Sequence, residues 1–235
     1  MRPMGFVPTC FGLPRLRSAR SVPWISKTCF GCSAESMPRM PGSVAEVLGD
    51  LSKALHDLRI AWYVFGAQAL VLRGFPRATV DLGVTVLLGA TPTSRLVTAL
   101  GRRGFKPGLG DAAFVAATRV LPVVHTSTGF PVDIVLGGPG LEELFASGAE
   151  KMKVGRLHVP VATATHLVVM KVLAGRPKDI EDAAALLAGR ADQIDVKELN
   201  DLTKDLASAL AEDDVLVHLR EATRRASRVR RRPRE

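Results

Sequence analysis

Apolar residues first fall into a helical rhythm at Val44, Val47, Leu48, Leu51, Leu55 and Leu58, three and four apart. SVAEVLGDLSKALHDL is therefore predicted to be an amphipathic helix with Ser43 as its N-cap. AWYVF (residues 61–65) is a short apolar strand, followed by Gly66-Ala67 and the helix-like AQALVLRG. ATVDLGVTVLL (residues 78–88) is β-branched and reads as a strand. A helix over 92–103, strands near 113–124 and 130–136, and a hairpin around KMKVGRLHVPV follow. Everything after Ala162 has helical character, with breaks at Gly175-Arg176-Pro177 and at Gly189. Strands interleaved with helices, then a helical tail, predict an α/β (α+β) fold. Its expected parts are a small mixed-sheet domain over 43–160 and a helical subdomain over 161–226. No internal repeat is visible.

Residues 1–42 show no such periodicity and are rich in Pro, Gly, Ser and Arg, which predicts a disordered extension. They contain no unbroken apolar core of the kind a secretory signal requires. A start of translation at Met37 or Met40 accounts for their composition more simply than a transit peptide. The chain's 3 Cys, Cys10, Cys29 and Cys32, all lie here. Cys29 and Cys32 have C-x-x-C spacing, but zinc takes four ligands and no second pair or nearby His follows. With no Cys in the body and no apolar run of about 18 residues, a cytoplasmic protein with no membrane association is expected.

Composition adds little until charge is mapped. The 47% hydrophobic content excludes a disordered chain. The net charge of +9 suggests a nucleic-acid partner, yet residues 1–41 hold six basic residues and one acid, and residues 220–235 hold eight Arg and two Glu. The body between them is thus slightly acidic. SRVRRRPR at the end, with residues 227–235 as a basic tail, keeps an RNA-binding accessory role open.

The sequence has no G-x-x-x-x-G-K-[ST], no H-E-x-x-H and no G-x-S-x-G, which argues against a Walker cradle, a zinc hydrolase and an esterase elbow. Carboxylate chemistry remains. Asp81 in TVDLGVTV and Asp133 in FPVDIVLG stand in otherwise apolar strands. A carboxylate there loses solvation heavily unless it is paired, bound to metal or at an exposed strand end. A strand-end Asp capping a loop is the alternative for either one, and two together favour a metal site.

Three motifs in order resemble the nucleotidyltransferase superfamily over about residues 45–190. FGAQALVLRGFPRATVDLG is similar to its signature of Gly, a small residue and then an acidic pair in a strand: Gly66 and Ala67 come first, residues 68–80 intervene, and Asp81 takes the first acidic position. FPVDIVLG resembles the strand of the third carboxylate, Asp133. VATATHLVVMKVLAGRPKDIEDAAALLA resembles the Lys-then-Arg-x-Lys-Asp-x-x-Asp segment of the abortive-infection toxin type.

The resemblance implies transfer of a nucleotidyl group from a nucleoside triphosphate to a tRNA or protein hydroxyl, with two Mg2+ ions, and an antitoxin protein as partner. It assigns catalysis to Asp81, Asp133, Lys171 and Asp182, metal to Asp81 and Asp133, and nucleotide contacts to Gly66, Ala67, Arg77, Lys171, Arg176 and Asp179. Magnesium prefers oxygen ligands, and residues i and i+2 of a strand share a face, so an acidic pair clamps one ion. Here the second acidic position is Gly83, which removes one ligand. A homologue that binds nucleotide or partner without turnover is the alternative this departure favours. Lys171 also fits a snorkelling surface lysine, and Asp179 the first turn of a helix. Arg73, Arg77, Arg176 and Lys178 are candidates for phosphate contact, or solvated charges. Asp111, in GLGDAA, is a conceivable substitute carboxylate.

Overall fold

The computed structural model describes residues 42–230 apart from Pro76 and Leu109, so the expectations for the N-terminal extension, its cysteines and residues 231–235 lie outside the described residues. In chain order the elements are α1 (Gly42–Asp57), β1 (Ala61–Phe65), α2 (Gly66–Leu72), β2 (Leu82–Leu87), α3 (Thr93–Arg102), β3 (Phe105–Pro107), α4 (Ala112–Thr118), β4 (Val120–His125), β5 (Phe130–Leu136), α5 (Leu141–Ser147), β6 (Glu150–Val154), β7 (Leu157–Val161), α6 (Ala164–Ala174), α7 (Pro177–Gly189), α8 (Val196–Leu210) and α9 (Asp214–Arg230). The strands form one seven-stranded mixed sheet, ordered β3-β4-β5-β2-β1-β7-β6. β2 runs parallel to β5, and β1 parallel to β7, while β1 and β2 are antiparallel.

Alternation along the strands fixes the two faces. Val64, Val84 and Ile134 turn the same way and are fully buried, as are Leu48, Leu51 and Leu55 on the apolar stripe of α1. Tyr63 points to the opposite face, where Phe145 of α5 meets it edge-on at 6.5 Å between ring centroids. The core continues from the sheet into the C-terminal helices through Leu167, Val168, Leu186 and Leu219. α6 is buried nearly all round, which explains its lack of amphipathic patterning. No helix among the described residues is long and apolar enough to cross a membrane.

Four local expectations change. α1 begins at Gly42, so Ser43 lies within the helix instead of capping it. Residues 112–118 form a helix, not a strand: the Asp111 side chain accepts a hydrogen bond from the Phe114 amide, and the alanine-rich run propagates from that cap. This cap also defines what Asp111 does. Arg119, in a left-handed conformation, ends α4 and lets β4 begin at Val120. Finally, residues 227–230 of the expected tail are the last turn of α9.

Candidate functional site

One row of residues crosses the sheet and defines the site. Phe65 of β1 pairs with Gly83 of β2, Gly83 with Asp133 of β5, and Asp133 with Pro122 of β4. Residues paired in this way share a face. Asp81 lies two residues before Gly83, immediately ahead of β2, and is exposed. It belongs to the same face as Asp133 by strand alternation. Burial pushes the Asp133 carboxyl above its usual range, and the negative charge of Asp81 pushes it further. The two carboxylates are therefore close enough to repel. Thr79 Oγ1 donates to Asp81 Oδ1 at 2.7 Å, orienting it. Among the described residues neither carboxylate forms an ion pair with Lys or Arg.

The opposite flank of Gly83 is closed. A side chain's first carbon built on Gly83 would stand 3.2 Å from two ring atoms of Phe65 and 3.3 Å from its carbonyl oxygen. The place where the resemblance expects a second acidic side chain is thus already lined by an aromatic ring. Phe65 carries no signal of this in the sequence, because its partner is set only when β1 folds back beside β2. The next residue, Gly66, has φ +75 and open space above it, so glycine is needed there for backbone conformation. Ala67 follows in the first turn of α2, a helix whose N-cap, Phe65, offers no side-chain acceptor.

The helical candidates gather elsewhere in the chain as one charge network. Lys171 Nζ donates to Asp179 Oδ1 at 2.8 Å and to Asp182 Oδ2 at 2.7 Å, and all three residues are buried. Lys171 is therefore not a surface lysine. Arg176 donates to the other oxygen of Asp179. Burial alone would raise the Asp179 carboxyl, but the hydrogen bonds from Arg176 and Lys171 outweigh it and hold Asp179 below its usual range. Asp182 also faces Arg77 at 3.4 Å. Because Arg77 is four residues ahead of Asp81, this contact ties the network to the segment that delivers the exposed carboxylate.

Arg73 does not meet the expectation of a phosphate contact. Its guanidinium is buried, donating to the Ala162 carbonyl at 2.9 and 2.6 Å and to Glu150 at 2.8 Å, where it locks α2 to the β7–α6 junction. Lys178 is exposed.

No protein-family model matches the sequence, and no curated protein matches it significantly. Among solved structures, the chain is similar to the antibiotic-resistance factor ANT(2'')-Ia, with TM-score 0.50 and 11% identity over 73% of this chain and 97% of that one. It also aligns with an antigenic nucleotidyltransferase-like protein from Paracoccidioides brasiliensis, with TM-score 0.49 and 15% identity over 79% and 95% of the two chains. At such identities the likeness is one of architecture: a seven-stranded mixed sheet followed by C-terminal helices is, in this chain, a nucleotidyltransferase-like fold.

Proposed function

We propose that this chain transfers a nucleotidyl group from a nucleoside triphosphate to a hydroxyl, with Asp81 and Asp133 as the shared ligands of a magnesium ion. The observation that carries the reading is the pair itself: two carboxylates from neighbouring strands, mutually repelling and without a cationic side chain against them among the described residues. When bound, a divalent cation would neutralise this pair and polarise the phosphate oxygens. Asp133 would serve as the general base. It takes the proton of the acceptor hydroxyl while that oxygen bonds to the α-phosphorus and the bond to pyrophosphate breaks. Gly66 and Ala67 keep the turn beside the triphosphate free of bulky side chains. Arg77 and Arg176 supply positive charge to it, while Lys171, Asp179 and Asp182 act as positioning residues that hold these two arginines.

For the acceptor, the likeness of residues 161–188 to the abortive-infection toxin type supports a tRNA or protein hydroxyl, and an antitoxin as partner. A second reading, binding without turnover, is favoured by one observation, the Phe65 ring lying where a second acidic side chain would begin. Incubation with each labelled nucleoside triphosphate, with and without Mg2+, in the presence of a tRNA pool separates the two. Magnesium-dependent label transfer that is lost in Asp81→Ala supports the enzyme. Magnesium-dependent binding with no transfer supports the second reading, and transfer that survives both Asp81→Ala and Asp133→Ala sinks the assignment of the carboxylates.

A further inference from the structure

β2 and β5 are neighbours and run parallel, yet the chain leaves them in opposite directions. From β2 it passes to α3, which packs on α1, and from β5 to α5, which meets Tyr63 on the other face of the sheet. Where adjacent parallel strands send their connections to opposite sides, a crevice opens beyond their carboxyl ends, and this is where open α/β sheets bind ligands. Here the crevice is a cavity of about 900 Å³, lined by the segments that follow both strands, by α3 and by α4. It lies at the far end of β2 from Asp81: Leu87, on its wall, is six residues further along, roughly 20 Å at about 3.3 Å per residue. We propose that this cavity is a binding site for a small apolar carboxylic acid.

The sequence leaves this space unfilled. Leu87, Leu88, Val97, Val115, Leu121 and Leu136 make its apolar wall, and the first four are only half-buried. α4 stands over them, but apart from Val115 its apolar lining residues are Ala112 and Ala116, whose methyl groups are too short to reach across, and none of its residues is buried. Apolar surface left wet in this way forgoes about 25 cal/mol per Å², which an apolar occupant recovers. The volume falls in the range of about 300–1,000 Å³ typical of small-molecule sites.

A single cation sets the polar end of the ligand. Arg119, which ends α4, donates from Nε to the Leu136 carbonyl at 2.8 Å, and this bond fixes its guanidinium at the cavity. Among the described residues Arg119 forms no ion pair, although Asp111 and Glu143 line the same cavity. Those two carboxylates already accept backbone amides, Asp111 from Phe114 at 2.8 Å and Glu143 from Gly140 at 3.2 Å. Glycine at 138 leaves Nη2 uncrowded, since even a first side-chain carbon there would stand 3.7 Å away. Nη1 and Nη2 therefore offer the pair of N–H donors that grips a carboxylate through both oxygens. The ligand's apolar body rests on Leu121 and Leu136, which by strand alternation face away from Asp133.

The test titrates the full chain with three probes of one shape, naphthoate, naphthalenemethanol and naphthylmethylammonium, followed by amide NMR. Naphthoate should bind saturably, shift the amides of Gly89, Gly137 and Gly138, and bind more tightly than the ammonium probe. Arg119→Gln should weaken naphthoate about tenfold, the loss of one charge-assisted contact, and leave the alcohol unchanged. Ala116→Trp, at an exposed helix position, should fill the cavity and abolish binding of both, while circular dichroism shows the fold intact. No saturable naphthoate binding, shifts confined to other residues, or undiminished binding in Ala116→Trp overturns the site. Preference for the ammonium probe, or unchanged naphthoate affinity in Arg119→Gln, overturns the acid as its ligand.

Discussion

Two groups of charged residues in this molecule handle charge in opposite ways. In the helices, Lys171, Arg176 and Arg77 stand against Asp179 and Asp182, so a buried network supplies its own counter-charges. On the sheet, Asp81 and Asp133 repel each other with no such compensation among the described residues. A buried charge that is already paired contributes to structural integrity, and removing one partner exposes the cost of its desolvation. An uncompensated pair is unfavourable for folding, and carboxylates perturbed in this way cluster at functional sites. The difference separates a charge-balanced network from a pair of carboxylates with no cation against them among the described residues.

The largest effect should come from breaking the paired side. Lys171→Ala leaves Asp179 buried with one cation fewer and should cost about 3–5 kcal/mol of stability, read by urea denaturation. A change below about 1 kcal/mol would return Lys171 to the solvated charges whose exposed pairs contribute that little. Asp81→Ala should do the reverse. Stability stays nearly unchanged, because the residue is exposed, while transfer falls about 100-fold to 1,000-fold, as when one electrostatic group leaves a preorganised site. Comparable losses of stability in both variants would erase the distinction drawn here.

A smaller effect sharpens the account of Gly83. Gly83→Asp alone meets the Phe65 ring and carbonyl, and overpacking of this kind typically costs about 1–3 kcal/mol. Combined with Phe65→Ala, which frees the ring's space, it should recover part of that loss and tighten Mg2+ binding about tenfold over Phe65→Ala alone, measured by calorimetry. If the single variant binds Mg2+ as well as the double one, Phe65 is not the obstacle.

The smallest effect is a pair of opposite pH dependences. Asp133 has a folded pKa above its ordinary 3.8, so its stabilising contribution is complete below that value and lost as pH rises through the folded pKa. Asp179 has a folded pKa below 3.8, so its contribution is present above that value and lost as pH falls through the folded pKa. Relative to the wild type, Asp133→Asn should therefore gain stability as pH is raised from 3 to 7, and Asp179→Asn should lose it. Parallel slopes would contradict the charge assignment of one of the two sites.

The amphipathic stripe of α1, the short apolar strand β1, the strand β5, and the breaks at Gly175 and Gly189 were legible in the sequence, because each depends on neighbours within one or two turns or along one strand. Asp133 stands inside β5 among apolar residues as its sequence suggests, whereas Asp81, expected inside a strand, precedes β2 and is exposed, so no desolvation marks it. α4 was misread because Phe114 and Val115 suggest a strand, whereas the Asp111 cap starts a helix in an alanine-rich run. Arg73 was misread because burial of a guanidinium depends on the carbonyl of Ala162, far along the chain.

By itself, then, the sequence determined the local elements, their order and the residues with chemistry to offer. Tertiary structure decided which of those residues meet. Gly83 and Asp133 are fifty positions apart and become neighbours only through the parallel pairing of β2 with β5, while the antiparallel return of β1 sets Phe65 against Gly83. Likewise, the partners of Lys171 follow from how α6 and α7 pack across the break at Gly175. Periodicity records which face a side chain occupies, but a charge acquires its role from what stands opposite, and that is set by sheet order and helix packing.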